Sequence, residues 1–99
     1  MIDEIVTEEI QELLSLFREK LDEGDFCEAD NYRRRILLHD NYLGLKQNPE
    51  LMLRYLDYSI EFYQTIPVEE ENPIRIKVAN FLIRCNIRQL RNMRKKYSR

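Results

Sequence analysis

Ninety-nine residues, 18 acidic and 16 basic, with a net charge of −2 and only two glycines and three prolines, suit one helical domain over residues 1–99 and exclude two independent cores. β-Branched residues never settle into a sustained alternation of apolar and polar, which argues against strands. No apolar run approaches the ~18 residues that span a bilayer, and Cys27 and Cys85 stand alone without a CxxC spacing, so a reduced intracellular compartment, cytoplasm or nucleus, is expected.

An all-α, four-helix up-down bundle is predicted, with helices at roughly 4–23, 25–43, 49–66 and 73–97. Asp3 can cap the first, in which Val6, Ile10, Leu13, Leu14, Phe17 and Leu21 recur at the helical period until Gly24 supplies a left-handed stop. Asp25 and Glu28 make a capping-box-like start to the second. Its apolar stripe is Ala29, Tyr32, Ile36 and Leu43, and Gly44 is its natural exit. Asn48-Pro49 opens the third helix and Asn72-Pro73 the fourth, because Asn caps free amides and proline is pre-set for the first helical position. Pro67 closes the third. Connections this short force consecutive helices antiparallel.

Charge is segregated along the chain. Residues 1–31 carry eleven Asp or Glu against Arg18 and Lys20, whereas residues 72–99 carry nine Lys or Arg and no acid. Opposed local charge of this kind is a cue for partners rather than for fold. On the fourth predicted helix Lys77, Arg84, Arg88, Arg91 and Lys95 fall within a sector of roughly 60°, a ridge ~27 Å long. On the first, Glu4, Glu8, Glu12 and Glu19 occupy roughly 80° facing away from the apolar stripe. The basic ridge has three uses: a plain solvated face, a dock for an acidic protein surface (another copy included), or a track for nucleic-acid phosphates. The acidic ridge could in turn imitate a phosphate backbone, as a small inhibitor of nucleic-acid enzymes would. Glu69, Glu70 and Glu71 need no ligand, because they favour the positive N-terminal end of the following helix.

The third and fourth predicted helices are more apolar than a small bundle requires. In the third, Glu50, Arg54, Asp57, Glu61 and Gln64 fill only roughly 100° of the wheel, and in the fourth the apolar residues spread over roughly 240°. Either both helices are flanked on two sides within the chain, or another chain covers part of them. In the second case Tyr55, Tyr58, Phe62, Tyr63 and Phe81 are the expected partner anchors, since aromatic side chains carry disproportionate interface energy.

Catalytic chemistry has little to stand on. His39 is the only histidine, and with Cys27 and Cys85 it offers three soft ligands at spacings unsuited to zinc. Arg34 and His39 match the Arg, four residues, His pattern of HEPN ribonucleases, but a five-residue step sets the two side chains ~140° apart on a regular helix. Gly-rich phosphate loops, nucleophile elbows and paired-carboxylate motifs are missing. No enzyme activity, cofactor, metal or small-molecule substrate is expected.

Two stretches resemble known families. Gly24, Asp25, Phe26, Glu28, Ala29 and Tyr32 look like the turn of a tetratricopeptide helix pair, though nothing similar recurs 34 residues later. Phe81-Leu82-Ile83-Arg84-Cys85-Asn86-Ile87-Arg88-Gln89-Leu90-Arg91, with Met93, Arg94 and Tyr97, resembles the long helix in the helical domain of GINS-type DNA replication subunits. That resemblance covers about a quarter of the chain, and the small β domain usual in the family has no counterpart. It implies a non-catalytic scaffold packing helix against helix in a heteromeric complex. The expected function is therefore that of a helical protein–protein interaction module, an oligomer or a subunit, with nucleic-acid binding as the rival.

Overall fold

The computed structural model describes residues 4–98; the expected cap Asp3 lies outside them. Five helices follow one another: α1 (Glu4–Glu23), α2 (Phe26–Ile36), α3 (His39–Gln47), α4 (Pro49–Thr65) and α5 (Pro73–Tyr97). No strand occurs among the described residues. Local chemistry sets most boundaries. Gly24 takes φ 76° after α1, where a side chain would strain the backbone. The Asp25 carboxylate accepts from the Glu28 amide at 3.2 Å, Asn48 accepts from the Leu51 amide at 3.3 Å, and Asn72 accepts from the Ile74 amide at 2.9 Å.

The continuous second helix expected over 25–43 is two helices. The chain turns at Leu37 and Leu38, where the Leu37 amide bonds the Arg34 carbonyl at 3.0 Å and the Leu38 amide bonds the Arg35 carbonyl at 3.2 Å. Leu38 then swings to ψ 153°. Buried Asn41 braces the corner by donating its side-chain amide to the Arg35 carbonyl at 3.0 Å. Asn and Asp compete with helical hydrogen bonding in this way, and His39, Asp40 and Asn41 stand together here. The bend leaves Leu43 exposed, so it does not extend the stripe of Ala29 and Ile36.

Gly44 does not end a helix either. It lies within α3, buried against α1, where a Cβ would stand 2.8 Å from Ile10 Cδ1 and 3.1 Å from Val6 Cγ1. Its missing side chain is what lets α3 approach α1 so closely.

The core lies between α1 and α4, closed by α2 and α3. Ile10, Leu14 and Phe17 of α1, Ala29 and Ile36 of α2, Leu45 of α3, and Met52, Leu56 and Phe62 of α4 are all buried. Phe17 meets Phe62 and Tyr58 edge-on, each at 6.2 Å between ring centroids. Arg18 of α1 pairs with both Asp22 and Glu61 of α4 and lies 5.2 Å from the Tyr58 ring.

A substitution of Gly44 by Val is expected to destabilise the protein by about 1–3 kcal/mol, because overpacking must displace Ile10 and Val6. Urea denaturation followed by circular dichroism measures it; an unchanged midpoint would show that α1 and α3 separate freely.

Candidate interaction surface

Among the described residues α4 packs against all four other helices, while α5 packs only against α4. That asymmetry decides which apolar surface the chain uses itself. Tyr55 and Phe62, expected as partner anchors, are 5% and 2% exposed and belong to the chain's own core. Burial pushes the Tyr55 phenol up from its ordinary pKa. Tyr58 and Tyr63 are half-buried and pack on that core, Tyr63 edge-on to Phe62 at 5.2 Å and 5.5 Å from the Arg33 guanidinium. Of the five expected anchors, Phe81 alone is exposed.

None of the described residues of α5 is buried, despite its length of 25 residues. Its C-terminal half docks through Leu90, Met93 and Tyr97, which pack on the core, and through a 2.5 Å ion pair between Arg94 and Asp57 of α4. The hydrogen bond to Asp57 raises the Arg94 pKa. Because α4 and α5 run antiparallel, Arg94 beside Asp57 sets Asn86 level with Thr65, the last residue of α4. Residues 73–85 therefore extend past the end of α4 by about 20 Å at 1.5 Å per residue. Ile66, Pro67, Val68, Glu69 and Glu70 of the connecting segment lie beside Ala79, Leu82, Ile83 and Asn86, so this arm is covered on one side only. The molecule is correspondingly long, 48 × 28 × 21 Å with a radius of gyration of 14.4 Å, against about 13 Å for a compact chain of this size.

The outer side of the arm is apolar. Ile74 is 73% exposed, Val78 51%, Phe81 58% and Leu82 54%, and Cys85, half-buried, continues the row. Beside it stand the ridge residues Lys77, Arg84, Arg88, Arg91 and Lys95, all exposed and, among the described residues, in no ion pair. Arg84, Arg88, Arg91 and Lys95 share a shallow trough with Ile87 and Asn92. Phe81 and Cys85 adjoin Arg84 and Arg88 in a second. No protein-family model, curated protein or solved structure matches the chain.

The acidic ridge is a separate surface. Glu4, Glu8, Glu12 and Glu19 are exposed on α1, which makes no contact with α5 among the described residues, so the two ridges do not neutralise each other within one chain. Neither His39, exposed at the start of α3, nor exposed Cys27 forms a ligand set, since among the described residues no three of His, Cys, Asp and Glu converge. An open cleft of about 640 Å³ is lined by Asp25, Cys27, Asp30, Arg33, Arg34 and Tyr63, among others. Its two guanidiniums are held by Asp30, at 2.7 Å from Arg33 and 2.9 Å from Arg34, and no histidine stands by Cys27 to activate it.

Sequence patterning concealed the outer stripe inside a generally apolar helix. Two truncations of Phe separate core from arm. Phe62→Ala is expected to cost about 3–5 kcal/mol, whereas Phe81→Ala should change stability by less than about 0.5 kcal/mol. Urea titration of both variants reads the difference, and equal losses would mean that the arm is part of the cooperative core.

Proposed function

We propose that this chain is a non-catalytic helical interaction module whose working surface is the outer face of the α5 arm, and that it acts as an oligomer or as a subunit of a larger assembly. The observation that carries this is a row of exposed apolar side chains, Ile74, Val78, Phe81 and Leu82, on a helix that among the described residues packs on one neighbour only. Burying such a row against another helix is worth ~25 cal/mol per Å² of apolar surface removed from water, and contiguous exposed apolar surface on a small protein marks an association site. The likeness of Phe81 to Tyr97 to the long helix of GINS-type replication subunits points the same way, toward a scaffold role in a nucleic-acid-processing assembly.

A nucleic-acid binder is the second reading, favoured by five ridge cations unpaired by any carboxylate among the described residues. Phosphates would use that ridge and leave the apolar row beside it wet, which makes it the weaker of the two. The acidic face of α1 would also repel the same polyanion. Imitation of a phosphate backbone by Glu4, Glu8, Glu12 and Glu19 has exposure alone in its favour.

The module predicts that a benzophenone-bearing phenylalanine at position 81 crosslinks to protein in native cells, whereas the same group at Gln11, exposed on α1, does not. Light scattering at low and high salt then tells a self-assembling chain from a subunit. Equal crosslinking at both positions would count against the arm. Nucleic-acid retention that collapses with salt and with Arg84→Glu, Arg88→Glu and Arg91→Glu, without any protein adduct at position 81, would establish the binder instead.

A further inference from the structure

The spacing of the exposed row is that of a coiled-coil seam. Ile74, Val78, Phe81 and Cys85 follow one another at intervals of four, three and four residues, which in heptad letters makes them d, a, d and a. The f positions that follow from this register include Leu90 and Tyr97, both packed on the core. Thus α5 turns one face to its own chain and presents another, on the far side of the helix, as a seam ~17 Å long. Nothing among the described residues fills this seam, where Ile74, Val78 and Phe81 are more than half exposed.

The flanks of the seam carry the information about what fills it. Lys77, Arg84 and Arg91 fall at successive g positions, and Arg75, Leu82 and Gln89 at e positions; α5 contains no Asp or Glu at all. In two-stranded helical pairs the e and g residues contact the partner and decide by charge which helix is accepted. A second copy of α5 is a poor match. Run antiparallel over the seam, it sets Lys77 of each helix against Arg84 of the other. Run parallel, it brings Arg88 against Arg88 at the next d position. Like charges in direct opposition destabilise a pair. The acidic face of α1 from a second copy supplies the right sign, but only Ile5 among its strongly exposed residues is a large apolar one, too little to fill four successive seam positions.

The geometry points to one occupant: an amphipathic helix of another protein, apolar at its a and d positions and acidic at its e and g positions, which lies along Ile74, Val78, Phe81 and Cys85 with its carboxylates against Lys77 and Arg84. This specifies the partner of the interaction module and rests on that reading. The apolar row supplies the attraction, and the cations supply selectivity and encounter rate.

Two synthetic three-heptad peptides test it, both with Leu at a and d, one with Glu at e and g and the other with Lys there. Fluorescence anisotropy with the full chain is expected to show binding of the Glu peptide and at least tenfold weaker binding of the Lys peptide. Phe81→Ala should weaken the Glu peptide at least tenfold, and Lys77→Glu with Arg84→Glu should reverse the preference. All these positions are exposed, and circular dichroism checks that each variant remains helical. Equal affinity for both peptides overturns the acidic-helix proposal. So does a homodimer by light scattering that Phe81→Ala converts to monomer, although that result keeps the interaction module. Absence of peptide binding together with absence of protein crosslinks at position 81 overturns both. Oligonucleotide binding that responds to Arg84→Glu and ignores Phe81→Ala also overturns the proposal, in favour of a polyanion.

Discussion

Helix α4 must bury two sides at once, and the rest of the structure follows from that demand. Its Met52, Leu56 and Phe62 close the core with α1 and α3, where Phe62 stands edge-on to Phe17 and Phe26, each at 6.2 Å. On its other flank Asp57 takes Arg94 of α5. A helix used on both sides needs an apolar circumference with only a narrow polar strip, and α4 has one. Residues that look like spare aromatic surface in isolation, Tyr55 and Phe62 above all, are consumed by this double duty.

Helix α5 shows the opposite economy. Its apolar arc is as wide as that of a central helix, yet among the described residues it has one neighbour. The reason is register. The extended segment between Thr65 and Pro73 carries the chain outward before α5 returns, so the docked half of α5 is its second half. Leu90, Met93 and Tyr97 find the core, while Ile74 and Phe81 reach past it. Length of connection, rather than hydrophobicity, determines which part of the helix is covered.

Much of this architecture was legible in the residues. The ends of α1, α4 and the start of α5 were written in Gly24, Asn48-Pro49, Pro67 and Asn72-Pro73, each acting through its own backbone chemistry. The corner at Leu37 and Leu38 was not, because neither Pro nor Gly marks it; the cue was the polar run His39, Asp40 and Asn41, whose bond to the Arg35 carbonyl exists only in three dimensions. Gly44 misled for a related reason. A glycine that ends a helix and one that admits a neighbouring helix look alike until the neighbour, here Ile10, is in place. The five ridge cations could be placed on one face by periodicity alone. Separating Phe81 from Phe62 required knowing which helices touch, and that depends on the path of the loop.

The overhang of α5 also separates two properties that most small bundles cannot vary independently. In a compact helical domain the residues available for recognition back directly onto the core, so any change in specificity draws on folding free energy. On the reading proposed above, the recognition positions Ile74, Val78 and Phe81 lie on backbone outside the core, held out by a helix whose docked residues begin at Leu90. On that reading the arm can exchange its side chains under selection for partners while the body of α1 to α4 keeps its stability, a division of labour usually reached by adding a second domain.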